Sequence, residues 1–187
     1  MTKKLTEMTN EELWQLFPII LTEHNPLWKD WYGEEKKFLT PLLPACAVLH
    51  HIGSTAIEGI WAKPTIDILA VLPEGADIKS VRDTLTSNGY ICMAESERRI
   101  SLNKGYTPSG FAERVFHLHL RFSRDTEEII FRDYLAANSA IAKEYEKLKL
   151  DLWKKFEHDR DAYTIAKTDF IKNCLAKAKD TKIAKEQ

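Results

Sequence analysis

The order of apolar and polar positions divides the 187-residue chain into a helical start, a β/α core and a helical last third. Residues 1–24 read as a peripheral segment holding one short amphipathic helix, Asn10–Leu16. Asn25-Pro26 opens the next helix, because Asn caps well and Pro at the first helical position forfeits no hydrogen bond. Leu27, Trp31, Phe38 and Leu42 recur at roughly helical spacing and are expected to form its buried stripe, with Trp28 widening it.

The period then shortens. Residues 46–52 (CAVLHHI) read as a strand running into Gly53-Ser54. Residues 64–72 (PTIDILAVL) are apolar on both faces, as a central strand covered on both sides would be. Pro73-Glu74-Gly75 is a turn, Asp77 caps a helix to about Ser87, and Asn88-Gly89 ends it. Strands over 90–94, 98–103 and 115–122 follow, with 105–110 (GYTPSG) as a loop. Asp125-Thr-Glu-Glu128 then resembles a capping box and opens a helix to about Ala137. Ser139 caps a long helix to about Phe156, and Asp159 or Asp161 caps a third that carries Tyr163, Ile165, Phe170 and Ile171. The short breaks between these three C-terminal helices place them on the sheet or on each other. A single domain over 25–176 and a Lys-rich, flexible tail over 177–187 are therefore expected.

Composition narrows the partners. The hydrophobic fraction of 44% and charged fraction of 29% are those of a globular protein. With 27 basic against 28 acidic residues the net charge is −1, so no global field attracts nucleic acid and a polynucleotide partner is not expected. Cys46, Cys92 and Cys174 are far apart, and no C-x-x-C pair exists, which fits a reducing compartment rather than a disulfide or zinc-knuckle framework. The first residues lack the apolar core of a signal peptide, and no stretch approaches the roughly 18 apolar residues of a membrane span. A cytoplasmic protein with no membrane partner is the expectation.

The chemistry concentrates between residues 51 and 69. Where the first strand ends, Gly53-Ser54 allows a sharp turn, and the small side chains let phosphate oxygens approach main-chain N–H groups. A helix starting at Thr55 would aim its positive end at the same anion. Asp67 lies inside the next apolar strand, where a carboxylate costs several kcal/mol unless it is paired, metal-bound or at an exposed strand edge. This arrangement resembles the nucleotidyltransferase superfamily, in which Gly-Ser is followed about a dozen residues later by Asp-x-Asp or Asp-x-Glu on the next strand. Carboxylates two apart share a strand face and can hold a divalent metal against a triphosphate. Asp67 matches the first acid; Leu69 stands at the second and cannot ligate a metal.

More closely, the chain resembles the GrpB family over about residues 25–175. The resemblance rests on Gly53-Ser54-Thr55-Ala56, Gly59, Ala62-Lys63-Pro64, Ile66-Asp67-Ile68 and His117-Leu118-His119. It continues through Phe131-Arg132-Asp133-Tyr134-Leu135, Glu144-Tyr145, Leu148-Lys149, Tyr163, Ala166-Lys167 and Phe170-Ile171. The family implies an α/β (α+β) fold with a nucleotidyltransferase-like mixed sheet flanked by helices. The superfamily resemblance implies a nucleotide triphosphate and a divalent metal, Mg or Mn, at Gly53-Ser54 and Asp67, with nucleotidyl transfer to a small molecule or protein, although the GrpB family itself has no well-established activity. Leu69 supports an alternative: a degenerate fold that binds a nucleotide, a phosphorylated small molecule or a protein.

His117 and His119 are two apart on a strand and share a face, so with Asp67 they would make a three-ligand site suited to zinc, manganese or iron. Metal-dependent hydrolysis at these three is a minor alternative. Thr55 and Lys63, the latter just before the Asp67 strand, are candidates to meet phosphate, as are Arg99, Arg121 and Lys167. Tyr163 and Lys167, four apart, would share a helix face and close over the cleft, and Trp61 would offer its ring to a base.

Overall fold

The structure, a computed structural model, describes residue 3 and residues 5–185. Helix α1 (Asn10–Leu16) has the expected bounds and starts on a capping box: Thr9 Oγ1 accepts from Glu12 N, and Glu12 accepts from Thr9 N. Residues 17–22, expected to be peripheral, are tied into the body. Phe17, Ile19 and Leu21 are buried, Ile19 N donates to Glu157 O, and Thr22 exchanges backbone bonds with Ala62. Helix α2 (Leu27–Leu39) opens on Asn25, whose Oδ1 accepts from Leu27 N.

The expected stripe of α2 is corrected. Leu27 and Phe38 are 52% and 39% exposed, whereas Trp28 is 1% exposed and the buried face is Trp28, Glu35 and Leu39. Glu35 belongs inside because Lys104 Nζ (2.8 Å) and the Tyr90 hydroxyl (2.8 Å) donate to its carboxylate. Phe38 instead lies at the surface against the Lys104 ammonium, 4.1 Å from its ring centre.

The core follows as β1 (Val48–Ile52), β2 (Thr65–Leu72), α3 (Ile78–Ser87), β3 (Ile91–Glu95), β4 (Ile100–Thr107) and β5 (Gly110–Phe122). Among the described residues these five strands form one sheet in the order β1-β2-β5-β4-β3. Only the β2–β5 pairing is parallel, so the sheet is mixed. Asp77 caps α3 as expected, accepting from Lys79 N and Ser80 N. Alternation along the central strands separates two faces. Ile66, Ile68, Ala70 and Leu72 with Phe116, Leu118, Leu120 and Phe122 join the main core under α2 and α3. Asp67, His117 and His119 alternate with these and face the other side.

The stretch 105–110 is not a loop: β4 and β5 run through it and close as a tight hairpin, with Thr107 opposite Gly110. Gly105 forms a bulge there, with φ 92° and a register shift between Lys104 and Tyr106. A Cβ on Gly105 would lie 2.3 Å from Arg114 O, so the close strand approach needs glycine. The bulge reverses the alternation. Lys104 turns to Glu35 on the α2 side, while Tyr106 turns to His117 on the opposite side.

The helical third comprises α4 (Glu127–Ala137), α5 (Ser139–Phe156), α6 (Arg160–Ile165) and α7 (Thr168–Lys185). The capping box expected at Asp125 is not formed. Thr126 holds the cap position without a side-chain bond, and Asp125 is drawn instead to Arg99. Asn138 rather than Ser139 occupies the α5 cap, and its Nδ2 donates back to Tyr134 O. Asp159 does cap α6, accepting from Ala162 N. The helix expected to run on from there breaks after Ile165, and α7 carries the chain through to Lys185. A second apolar cluster, Ile57, Ile60, Leu135, Ala142, Tyr145 and Cys174, packs α4, α5 and α7 together under the 53–60 loop. No helix among the described residues is long and apolar enough to cross a membrane.

Candidate functional site

The site begins where β1 stops. Gly53 has φ 72° and ψ −173°, a region that side-chain-bearing residues essentially never occupy. Its missing side chain also makes room for Asp67: a Cβ there would sit 2.4 Å from Asp67 Oδ2. The turn that follows is one three-residue 3-10 turn, Ser54–Ala56, so the expected helix at Thr55, with its dipole, is absent. Thr55 is buried and spent on structure, its Oγ1 donating to Thr65 O (3.1 Å) and meeting His51 Nε2 (3.0 Å).

Parallel pairing sets Asp67 directly opposite His117. Arg160 Nη1 donates to the Tyr106 hydroxyl (3.3 Å), and that hydroxyl lies 2.8 Å from His117 Nε2. An ionised Asp67 can only accept, so His117 Nδ1 carries a proton and donates to Asp67 Oδ1 at 3.1 Å, and in the neutral imidazole Nε2 then accepts from the Tyr106 hydroxyl. His119 reaches the same oxygen less closely, at 4.0 Å, and its Nδ1 meets Ser101 Oγ at 3.2 Å. Burial would raise the Asp67 carboxyl, but the hydrogen bond from His117, with His119 close by, outweighs it and holds the group well below the usual carboxylate range. Burial pushes the His117 imidazole down, which suits the neutral tautomer the chain requires.

The helices close the cleft with cations. A cavity of about 220 Å³ is lined by Gly53, Ser54, Thr55, Lys63, Asp67, His117 and His119 from the sheet and its loop. From the helical side come Tyr145, Lys149, Arg160, Tyr163, Thr164 and Lys167. Burial, with repulsion from Arg160 and Lys167, pushes the Lys63 ammonium down to about 7 against the pull of Asp67. Burial lowers Lys149 to about 7 and Lys167 to about 8. Lys149 is fixed by donating to Trp61 O, and Lys167 rests 4.1 Å over the Tyr163 ring. Burial pushes the Tyr145 hydroxyl up, and Tyr145 lines the cavity with Ser54.

Most of the residues singled out by sequence therefore meet in this cavity: Gly53, Ser54, Thr55, Lys63, Asp67, His117, His119 and Lys167. Arg99 and Arg121 do not line it. Arg99 is exposed and paired with Asp125; Arg121 is buried, donates to Ile100 O and Leu120 O, and lies 3.8 Å from both Asp125 and Glu128. Trp61 contributes its backbone to Glu146 and Lys149, and its ring is not among the lining groups. Asp67 and His117 are brought together as a hydrogen-bonded pair, with His119 4.0 Å from the same carboxylate oxygen. Among the described residues no three His, Cys, Asp or Glu side chains are grouped to hold a metal ion. Sequence reasoning missed Tyr106, Lys149 and Arg160. A signal existed for Lys149, which lies on the buried stripe of α5 with Ala142 and Tyr145. None existed for Tyr106, because only the bulge aims it at His117.

The comparisons with known proteins agree with this architecture. A family model described as GrpB protein matches residues 18–177. The chain belongs to the GrpB family. It is 33% identical over 165 residues to the glutamate-rich protein GrpB of Alkalihalophilus pseudofirmus, covering 84% of this chain and 94% of that one. It is 31% identical to YqkA of Bacillus subtilis, covering 83% of this chain but 46% of that longer relative. The crystal structure of GrpB from Enterococcus faecalis superposes with a TM-score of 0.73 at 32% identity, covering 85% of this chain and 96% of that one. The GLD-2/RNP-8 complex, at a TM-score of 0.50 and 12% identity over 77% of this chain and 58% of that one, shares the fold alone. The fold of this GrpB-family chain is thus nucleotidyltransferase-like: a five-stranded mixed sheet with flanking helices.

Proposed function

We propose that this protein binds a phosphorylated small molecule, nucleotides among them, through its phosphate groups in the cleft between Gly53-Ser54, Asp67 and helices α5 and α6. The observation that carries the reading is charge balance. Lys63, Lys149, Arg160 and Lys167 line a cavity that holds one carboxylate, Asp67. Among the described residues none of the four cations is ion-paired to an acid within 4.0 Å. Crowded, half-desolvated cations repel one another, and an anionic ligand relieves that repulsion.

Nucleotidyl transfer with Mg or Mn, to a small molecule or protein, is the activity suggested by the fold, and the close approach of Gly53 to Asp67 is compatible with it. Two features favour binding without that chemistry. Leu69, at the place of a second acid, is fully buried, and His117 stands opposite Asp67 on the neighbouring strand. Hydrolysis on a zinc-type metal at Asp67, His117 and His119 is disfavoured, since a metal would have to replace the Tyr106–His117–Asp67 bonds.

The test is thermal stability with a panel of nucleotides and sugar phosphates. A ligand at about 100 times its Kd stabilises by roughly 2.7 kcal/mol, which for this size raises Tm by about 5–11 °C. The rise is expected in wild type and is lost in the Lys63→Met/Lys167→Met variant. Absence of a rise with every phosphorylated compound would remove the reading.

A further inference from the structure

We infer that this site takes its phosphorylated ligand without a divalent metal, with Lys63, Arg160 and Lys167 neutralising the phosphate charge. The inference deepens the proposal above and rests on it. Leaving the histidines aside, four lining cations against one carboxylate give the cavity a formal charge of 4 − 1 = +3 when every lysine is protonated. It stays positive, at roughly +2, near pH 7, where Lys63 and Lys149 are about half protonated. A bare dication is repelled from such a cavity, whereas a phosphomonoester or diphosphate is opposite to it in sign and comparable in size of charge.

A magnesium ion at a phosphate site is usually held by one or two protein carboxylates together with waters and the phosphates themselves. The one carboxylate here is already engaged. Asp67 Oδ1 accepts from His117 Nδ1 at 3.1 Å, and Oδ2 lies against Gly53, 2.4 Å from where a Cβ would stand. The other nitrogen of His117 is held by the Tyr106 hydroxyl, which Arg160 fixes in turn. Arg160 thereby has a double position: one nitrogen locks the histidine–aspartate pair, while the guanidinium lines the cavity as a phosphate-facing cation. Volume sets the size of what enters. About 220 Å³ lies below the roughly 300–1,000 Å³ of pockets that enclose a whole drug-sized ligand. The cavity therefore encloses the phosphoryl groups and leaves the remainder of the molecule outside.

The experiment is isothermal titration calorimetry of the full chain with inorganic pyrophosphate and with ATP. Each probe is titrated once in EDTA and once in magnesium, into wild type and into Asp67→Asn. The two probes separate recognition of the phosphates from recognition of a nucleoside. Wild type is expected to bind pyrophosphate in EDTA with an affinity within about threefold of that in magnesium, or tighter. Asp67→Asn, which removes a like charge, should bind as tightly as wild type or up to about tenfold tighter. Binding that appears only with magnesium and vanishes in Asp67→Asn would overturn the inference and leave the phosphate-binding proposal standing. Failure of both probes in both buffers would overturn the proposal itself, and the inference with it. Should Asp67→Asn not fold, the comparison of EDTA and magnesium on wild type decides alone.

Discussion

Gly53→Ala isolates the physical link between the loop and the carboxylate. At φ 72° and ψ −173° an alanine suffers backbone strain of about 1–3 kcal/mol. For a chain of this length that lowers Tm by roughly 2–12 °C. A second cost is steric: the new Cβ would fall 2.4 Å from Asp67 Oδ2, so the carboxylate must swing away and stretch its 3.1 Å bond to His117. The two costs separate in a double-mutant cycle with Asp67→Ala, which removes the clashing oxygen but not the strain. The double variant should be destabilised by about 1 kcal/mol less than the sum of the singles, in urea melts followed by tryptophan fluorescence. Gly59→Ala is the control. Gly59 also has a positive φ, 74°, yet nothing lies within 4 Å of its Cβ position, so it should show strain and no coupling to Asp67. Additivity of Gly53→Ala and Asp67→Ala within about 0.5 kcal/mol would refute the claimed close approach.

Two further outcomes are expected. Lys63, Lys149 and Lys167 titrate at about 7, 7 and 8 in the folded protein, below the ordinary lysine value of 10.5. Unfolding therefore takes up protons between about pH 7 and 10, and the stability they contribute is present above the ordinary value and lost as pH falls through the folded values. Urea stability should rise from pH 7 to 9, and the rise should flatten in Lys63→Met/Lys167→Met; a fall over that range in wild type would contradict the assignment. On the other face, Glu35→Ala strands the Lys104 ammonium and the Tyr90 hydroxyl. The cost should be about 2–3 kcal/mol, less than the roughly 3–5 for breaking a fully buried pair because Lys104 keeps some solvent. A change in urea midpoint equivalent to under about 0.5 kcal/mol would show the pair to be ornamental.

The amino-acid sequence by itself determined the elements whose signals are local. The bounds of α1, the Asp77 cap of α3 and the strands flanking Gly53-Ser54 depend on neighbours within a turn or on alternation along one strand. Asp67 was legible for a related reason: a carboxylate in an apolar strand demands a partner wherever the strand packs. The tertiary structure decided which partner. Parallel pairing of β2 and β5 set His117 opposite Asp67, and the Gly105 bulge turned Tyr106 from one sheet face to the other. Packing of α5 and α6 against that face brought Lys149 and Arg160 to the cavity, while ion pairs with Asp125 and Glu128 drew Arg99 and Arg121 away from it. The same long-range attraction overrode the local capping signal at Asp125. Periodicity records which face of an element is buried, but not which element, many residues away, covers that face. The charge of this cavity is set by the covering helices.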